Sequence, residues 1–120
     1  MLRVIDPVAS QAFYEALGME WRRTSDIVRD GAHEATLYFF AFPGEAVELE
    51  LTWNTDGRSY EQGTGYGHIA IAVDDLEATL ALLASRGIEP ERSPYRVREG
   101  GSLICFVRDP DGWRVELIER

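Results

Sequence analysis

The sequence is built twice to one plan, and this internal repeat restricts the fold more than any other feature. Each half begins with an apolar strand that leads into a helix capped by aspartate, Asp6 in the first half and Asp74 in the second. A glycine ends each helix, Gly18 and Gly87. Each half closes with an alternating strand that contains Glu-Leu, 44 residues after the capping aspartate in the first half and 42 in the second. Two copies of a β-α-β-β-β unit are the simplest account of this pattern.

A glycine-rich segment, Thr55–Gly65, separates the two copies and contains almost no aliphatic residues. We therefore predict a single α+β domain, residues 1–120, with a first βαβββ module at 1–54, a linker at 55–65 and a second module at 66–120. In each module one helix covers one face of a small sheet. Within the modules, Trp21–Asp30 is expected to form a short strand and a loop, and Pro90–Gly101 a loop.

The sheet face opposite each helix carries polar side chains. In Ala46–Asn54 the residues alternate, so Glu50, Thr52 and Asn54 share the polar face of one strand. Glu116 has the equivalent place in the last strand of the second half. A solvated sheet face explains either glutamate alone. If two such sheets curve toward each other, however, these faces line a cleft.

His68 begins the strand that opens the second half, on the same side as two alanines. Taken alone, a partly buried histidine with one hydrogen bond is the plainer interpretation. The repeat favours another, because His68 and Glu116 then share a polar face, and Glu50 repeats the glutamate. The matching histidine of the first half would lie just ahead of Met1. These residues would form three members of a His-Glu-His-Glu set, which is ligand chemistry for Zn²⁺, Ni²⁺, Co²⁺ or Mn²⁺.

Composition limits the partners. The net charge of −9 argues against nucleic acid or an anionic membrane as a main partner. No apolar run approaches the roughly 20 residues of a membrane span, and the N-terminus predicts no secretory signal. The single cysteine, Cys105, cannot form an internal disulfide, so we expect a cytoplasmic protein. Because Cys105 lies in an apolar strand, we interpret it as core packing and not as a nucleophile.

Several segments, spread over nearly the whole chain, carry a family signature. They are Met1–Val4, Phe13-Tyr14 with Leu17-Gly18-Met19, Glu50–Asn54, Gly63–Ala70 and Asp109–Ile118. Together they resemble the glyoxalase I (lactoylglutathione lyase) family of the vicinal oxygen chelate superfamily. The Gly-Tyr-Gly-His-Ile-Ala and Glu-Leu-Thr-x-Asn segments favour this family over other members, whereas Asp-Pro-Asp-Gly is shared widely across the superfamily.

The resemblance implies a fold, an assembly and a metal site. The fold of the glyoxalase/bleomycin-resistance/dioxygenase type has a curved mixed sheet with helices on its outer face. The family usually forms homodimers, in which first-module ligands of one chain meet second-module ligands of the other. The implied metal ligands are Glu50, His68 and Glu116. Short chains of this type resemble the bacterial enzymes that prefer Ni²⁺ or Co²⁺, with Zn²⁺ as the other possibility.

The first metal ligand of the family is a histidine just upstream of the segment that matches Met1–Val4, and it has no counterpart here. Either the true start lies several residues earlier, or the chain is naturally short and water, another side chain or a vacancy replaces the ligand. His33 is a poor substitute, because it lies in a turn that leads into a strand and has no place in the repeat.

The resemblance also implies a reaction, the isomerisation of the methylglyoxal–glutathione hemithioacetal to S-lactoylglutathione. Glu116 matches the glutamate that moves the proton, and Glu50 is its partner on the other side of the substrate, so both are expected to be catalytic. Arg3, Asn54 and Arg98 match contacts to glutathione, the co-substrate. Arg92 or Arg96 could replace Arg98, and a solvated charged loop explains these arginines equally well.

Two other functions stay open from the sequence. The chain could be a related metal-dependent enzyme, such as an epimerase or a thiol-transferring resistance enzyme. It could instead be a metal-free protein that binds small molecules, like the bleomycin-sequestering members of the superfamily. A binding protein does not need the set formed by Glu50, His68 and Glu116, and this set is the main argument for an enzyme.

Overall fold

The computed structural model describes residues 1–120 and divides them into two compact units, Met1–Glu61 and Gln62–Arg120. Each unit has the element order strand, helix and three strands, so the predicted α+β fold with two βαβββ modules is confirmed. The division between the units falls inside the glycine-rich segment 55–65. Neither helix is long and apolar enough to cross a membrane.

The first unit contains one helix and a four-stranded mixed sheet. Its elements are β1 (Leu2–Val4), α1 (Pro7–Ala16), β2 (Glu20–Arg29), β3 (Ala32–Ala41) and β4 (Leu49–Asn54). The strand order is β1-β4-β3-β2, with β1 parallel to β4 and the other neighbours antiparallel. Because parallel strands need a long connection, the helix and the β2–β3 hairpin lie between β1 and β4 in sequence.

The second unit repeats this topology. Its elements are β5 (Ile69–Val73), α2 (Leu76–Ala84), β6 (Tyr95–Arg96), β7 (Leu103–Arg108) and β8 (Arg114–Glu119). The strand order is β5-β8-β7-β6, again with a parallel first pair and antiparallel neighbours. The helix α2 lies against β7 and β8. The repeat seen in the sequence is therefore a repeat of chain topology.

The helix ends follow the repeat closely, with one correction. Asp6 caps α1, since its Oδ1 accepts hydrogen bonds from the N–H groups of Val8 and Ala9 at 2.9 and 3.1 Å. The cap of α2 is Asp75, whose Oδ1 accepts from the N–H of Ala78 at 2.8 Å, so the expectation that Asp74 is the cap was wrong by one residue. The two aspartates are adjacent, and only the carboxylate of the second accepts a hydrogen bond from an N–H group of the first turn.

Glycine ends both helices in the same way. Gly18 and Gly87 have φ of +91° and +77°, a conformation in which a side chain would be strained. In each case the glycine and the residue after it donate their N–H groups to carbonyls of the last turn. With the corrected cap, each glycine stands twelve positions after its capping aspartate.

Alternation divides each sheet into a buried face and a second, more polar face. The buried faces contain Leu2, Val4 and Leu51 in the first unit and Ile71, Val73, Cys105, Val107, Val115 and Leu117 in the second. Cys105 is wholly buried, its thiol donates to the carbonyl of Arg92 at 3.2 Å, and burial raises its pKa. This agrees with the interpretation of Cys105 as core packing.

Three strand boundaries differ from expectation. The segment Glu20–Arg29 is one ten-residue strand, and all its residues are exposed, so it shows no alternation to read. The strand expected at Ala46–Asn54 begins only at Leu49, and Val47 is 80% exposed. The segment expected to be a loop at Pro90–Gly101 contains the two-residue strand β6. In each case backbone pairing with a neighbouring strand, and not the local side-chain pattern, sets the boundary.

Candidate functional site

The structure brings His68 and Glu116 together in the second unit. Ala70 pairs with Glu116 between the parallel strands β5 and β8, so His68, two residues earlier, lies on the same sheet face as the glutamate. The Nε2 atom of His68 is 3.2 Å from Oε2 of Glu116. The side chains are 39% and 16% exposed, respectively. The pair is thus a convergent imidazole and carboxylate that remains open to a ligand.

An aromatic ring lies beside this pair. Phe106 pairs with Glu116 between β7 and β8, and its ring meets the ring of His68 edge to face at 5.4 Å. The guanidinium of Arg114 covers the Phe106 ring at 3.7 Å. Arg114 in turn donates to both carboxylate oxygens of Glu91, at 2.7 to 3.0 Å. We call Phe106, Arg114 and Glu91 the second-unit stack.

Charge pairing within the second-unit stack perturbs both ionisable groups. Hydrogen bonds from Arg114 hold the pKa of Glu91 below its ordinary value, and the same contact raises the pKa of Arg114. Arg108 adds a second ion pair to Glu91 at 2.9 Å. Glu91 therefore forms ion pairs with both neighbouring arginines. The stack was not predicted from the sequence, although Phe106 and Glu116 pair directly across β7 and β8 and so share a sheet face.

Glu50 occupies the equivalent position in the first unit. It pairs with Phe39 between β3 and β4, as Glu116 pairs with Phe106. The buried hydroxyl of Thr52, two residues along β4, donates to Oε1 of Glu50 at 2.9 Å. This bond fixes the glutamate on the polar face and leaves the carboxylate half-exposed.

The first unit has its own aromatic stack. The guanidinium of Arg23 covers the Phe39 ring at 3.6 Å and binds Oε2 of Glu48 at 2.6 Å. We call Phe39, Arg23 and Glu48 the first-unit stack. Glu48 was expected to continue the β4 strand, but it lies before the strand and pairs with Arg23. Each unit therefore has a ligand candidate opposite a phenylalanine that an arginine covers.

Two of the candidate substrate-binding residues, Arg3 and Asn54, lie on one sheet face of the first unit. Arg3 pairs with Thr52 between the parallel strands β1 and β4, so it shares a sheet face with Asn54. Tyr60 joins them, because its hydroxyl accepts a hydrogen bond from Nδ2 of Asn54 at 2.7 Å and its ring lies 5.7 Å from the Arg3 guanidinium. Tyr60 belongs to the segment 55–65 that was predicted to be a linker, and no role was predicted for it.

Arg98 lies apart from these residues, in the second unit. It is exposed and lines a cavity of about 360 Å³ with Val97, Gly101, Ser102 and Ile104. Arg96 is tied to the carbonyl of Gly101, and Arg92 covers the ring of Tyr95 at 3.2 Å. Of the three loop arginines, Arg98 is the one that lines the cavity.

His33 has local partners that account for it. Its Nε2 lies 3.0 Å from the carbonyl of Ala35 and 2.9 Å from Oγ1 of Thr36, which donates to Asp26. Its ring also contacts Trp53, a neighbour of Thr36 in the sheet. These partners lie on the face opposite Glu50. His33 is thus held away from the candidate site.

The donor atoms suit a divalent metal, although no group of three or more His, Cys, Asp or Glu side chains that could hold one is present in either unit. In the second unit an imidazole nitrogen and a carboxylate oxygen already converge, which is a donor pair for Zn²⁺, Ni²⁺ or Co²⁺. In the first unit Thr52 orients one further carboxylate. A carboxylate at such a place can also accept a proton from carbon.

Known proteins are similar to this chain in sequence over nearly its whole length. Lactoylglutathione lyase of Haemophilus influenzae is 44% identical over 122 residues, covering 99% of this chain and 88% of the relative. The lactoylglutathione lyase of Salmonella typhimurium is 39% identical, with the same coverage of 99% and 88%. These similarities confirm the resemblance inferred from the sequence motifs.

Solved structures give the same result. Glyoxalase I from Zea mays has a TM-score of 0.87 and 36% identity and is matched over 99% of this chain, which spans only 43% of the maize chain. A trypanothione-dependent glyoxalase I from Leishmania major has a TM-score of 0.80 and 34% identity over 99% of this chain and 83% of its own. The family model of the Glyoxalase/Bleomycin resistance protein/Dioxygenase superfamily matches residues 1–117. The chain belongs to this superfamily.

Proposed function

We propose that this protein is a lactoylglutathione lyase, which converts the hemithioacetal of methylglyoxal and glutathione to S-lactoylglutathione. The observation that carries the proposal is the convergence of His68 and Glu116, at 3.2 Å, on the polar sheet face. Relatives that are 39% to 44% identical over 99% of the chain bear this name. The single free cysteine, Cys105, fits a reducing compartment, and we propose the cytoplasm.

His68, Glu116 and Glu50 would hold a divalent metal, with Ni²⁺ or Co²⁺ favoured over Zn²⁺. When bound, such an ion polarises the substrate oxygens and favours the negative charge that develops on them when a C–H proton leaves. Support comes from the donor atoms, one imidazole nitrogen and two carboxylates, each fixed by a contact within its own unit.

Glu116 would remove the proton from the carbon that bears sulfur and oxygen, and deliver it to the neighbouring carbonyl carbon. The reaction is a net isomerisation, so no oxidant or reductant is required, and the thioester product keeps the carbon–sulfur bond. Glu50 would act on the opposite side of the substrate. The Phe106 ring beside His68 would keep water from that side of the pair.

We further propose that the protein works as a homodimer in which Glu50 of one copy joins His68 and Glu116 of the other. The first unit supplies Glu50 and the second supplies the His68–Glu116 pair. Arg3 and Asn54 would bind glutathione from the first unit, and Arg98 from the second. An arginine suits either carboxylate of glutathione because it can bind a carboxylate through two hydrogen bonds.

The test uses apo-protein to which Ni²⁺, Co²⁺ or Zn²⁺ is added, with bound metal and thioester formation as separate readouts. Each metal is assayed with glutathione and with trypanothione, since one relative is named as trypanothione-dependent. A parallel sample carries an N-terminal extension with one histidine ahead of Met1. The proposal predicts metal-dependent turnover, and Glu116→Gln should lower it by about 10²- to 10⁴-fold.

Glu77→Gln is the matched control, because Glu77 is exposed on α2 and should leave turnover unchanged. Absence of metal uptake and turnover in both the chain and its extended form would refute the proposal. Binding of S-methylglutathione without any turnover would instead identify a binding protein.

A further inference from the structure

Tyr60 contacts two of the proposed substrate-binding residues, and the proposed function gives it no role of its own. It lies six residues beyond the end of β4, in the segment that was predicted to be a linker. In the structure it belongs to the first unit and is half-buried. It reaches back to Asn54 and Arg3, as described above.

Local contacts in residues 55–59 turn the chain back, so that Tyr60 lies against Asn54 and Arg3. Thr55 donates its N–H to the carbonyl of Glu34 at 2.9 Å, which anchors the start of the turn to β3. Gly57 has a φ of +68°, which reverses the chain. Asp56 and Arg58 flank the glycine and form an ion pair, and the hydrogen bond from Arg58 lowers the pKa of Asp56. The position of Tyr60 is therefore fixed by local contacts.

The hydrogen bond to Tyr60 gives Asn54 a definite orientation. The amide nitrogen donates to the phenol, so the amide oxygen is the atom left to accept a hydrogen bond from a ligand. The phenol accepts in this bond and keeps its own proton, for which the structure shows no acceptor. Arg3, Tyr60 and Asn54 thus offer a positive charge, a hydroxyl donor and an amide acceptor on one sheet face.

We propose that Tyr60 is a further substrate-binding residue: its hydroxyl orients Asn54 and donates its own proton to a carboxylate of the thiol substrate that Arg3 also binds. The amide oxygen of Asn54 then accepts from an N–H group near that carboxylate. This inference rests on the proposed function, since it assigns the residue to the same substrate site. The chemical class of ligand is a peptide or amino-acid end that bears a carboxylate and an N–H group.

Tyr60→Phe tests the inference, because it keeps the ring beside Arg3 and removes only the hydroxyl. We expect KM for the hemithioacetal to rise about tenfold and kcat to change less than about twofold, since a hydrogen bond to a carboxylate is lost in binding only. Tyr38→Phe is the matched control, because Tyr38 is a half-buried tyrosine of the same unit that pairs with Leu51, on the other sheet face. It should leave KM unchanged.

Two glutathione analogues identify the carboxylate, one esterified at the glycine end and one lacking the α-carboxylate of the glutamyl residue. The rise in KM caused by Tyr60→Phe should persist with the analogue that keeps the contacted carboxylate and disappear with the other analogue. An unchanged KM in an active protein, an equal rise in Tyr38→Phe, or a loss that persists with both analogues would overturn the inference while leaving the proposed function intact.

Binding of S-methylglutathione by calorimetry makes the test independent of turnover. If the unsubstituted protein is inactive but binds this probe, Tyr60→Phe should still weaken binding about tenfold. If neither the unsubstituted protein nor its form with the N-terminal extension turns over the hemithioacetal or binds the probe, the proposed function and the role of Tyr60 both fail.

Discussion

The hydrogen bond from Thr52 to Glu50 offers a test of how the first unit orients a proposed metal ligand. The Thr52 side chain is buried, and its hydroxyl lies 2.9 Å from Oε1 of the glutamate. Thr52→Val keeps the branched shape and removes the donor. A hydrogen bond to a charged group contributes about 1.5 to 3 kcal/mol. Glu50 is half-exposed and water can replace part of the bond, so we expect the free energy of unfolding to fall by about 1 kcal/mol.

The larger effect should be on metal affinity. A residue that orients a metal ligand typically changes affinity by about 10- to 100-fold when it is removed. We expect the low end, about tenfold, because one oxygen of Glu50 does not depend on Thr52. Competition with a chromophoric chelator measures this affinity for Ni²⁺ or Co²⁺, and urea denaturation measures stability on the same samples.

The first unit also supplies a matched control. Thr36 is buried to a similar degree as Thr52, and its hydroxyl donates to the carboxylate of Asp26 at 2.6 Å on the opposite sheet face. Thr36→Val should therefore lower stability without changing metal affinity. Equal loss of affinity in the two variants would show that general loosening of the sheet is responsible. No loss of affinity in Thr52→Val would refute the assignment of Glu50 as an oriented ligand.

Three further predictions concern stability and can all be measured by urea denaturation. Because Arg114 lowers the pKa of Glu91 in the folded protein, this ion pair stabilises the fold at pH values above the ordinary carboxyl pKa of about 4.3, and the stabilisation is lost as the pH falls through the lower pKa of the folded state. The difference in free energy of unfolding between the unsubstituted protein and Glu91→Gln should therefore narrow in acid. A difference that stays constant with pH would contradict this. Asp109→Ala should cost about 1 to 3 kcal/mol, because the buried Asp109 carboxylate accepts the N–H groups of Asp111 and Trp113 in the turn before β8, and a loss below about 0.5 kcal/mol would argue against this role. Gly18→Ala should cost about 1 kcal/mol, since φ is +91° and the added methyl group would meet only an ordinary contact at 3.7 Å; an unchanged midpoint would show that the helix end relaxes.

Much of the fold was predictable because the repeat and the alternation of side chains report the same buried faces. Asp6 and Gly18 mark the ends of α1 by local chemistry alone, and both predictions were confirmed. The contact between His68 and Glu116 follows from strand alternation once the two strands are taken as neighbours. The adjacent pair Asp74-Asp75 shows the limit, since either residue satisfies the sequence rule.

Other features depend on contacts that no local pattern encodes. The strand Glu20–Arg29 is exposed throughout and is held by its backbone ladder with β3, so its charged residues resemble a loop. Charged side chains are common on such edge strands, where they discourage pairing with other chains. Tyr60 looked like a linker residue because its partners, Arg3 and Asn54, lie in two strands of the sheet.

The two stacks extend the repeat beyond the backbone. In each unit the ligand candidate faces a phenylalanine across the antiparallel pair of strands, and an arginine covers that ring at 3.6 to 3.7 Å. The arginines come from different elements, β2 in the first unit and β8 in the second. The arrangement is therefore not a simple copy of one sequence motif.

The carboxylate in each stack, Glu48 or Glu91, bears on the proposed metal site because it binds the arginine of that stack. An arginine close to Glu50 or Glu116 would compete with a cation for the carboxylate, since opposite charges within a few ångströms attract strongly. Glu48 and Glu91 bind these arginines at 2.6 and 2.7 Å. Each arginine is thus paired with a glutamate that does not belong to the proposed ligand set, and Glu91 is shared between Arg114 and Arg108. Under the proposed function, this pairing leaves the carboxylates of Glu50 and Glu116 to a divalent ion, and Arg114 retains a smaller electrostatic interaction with Glu116.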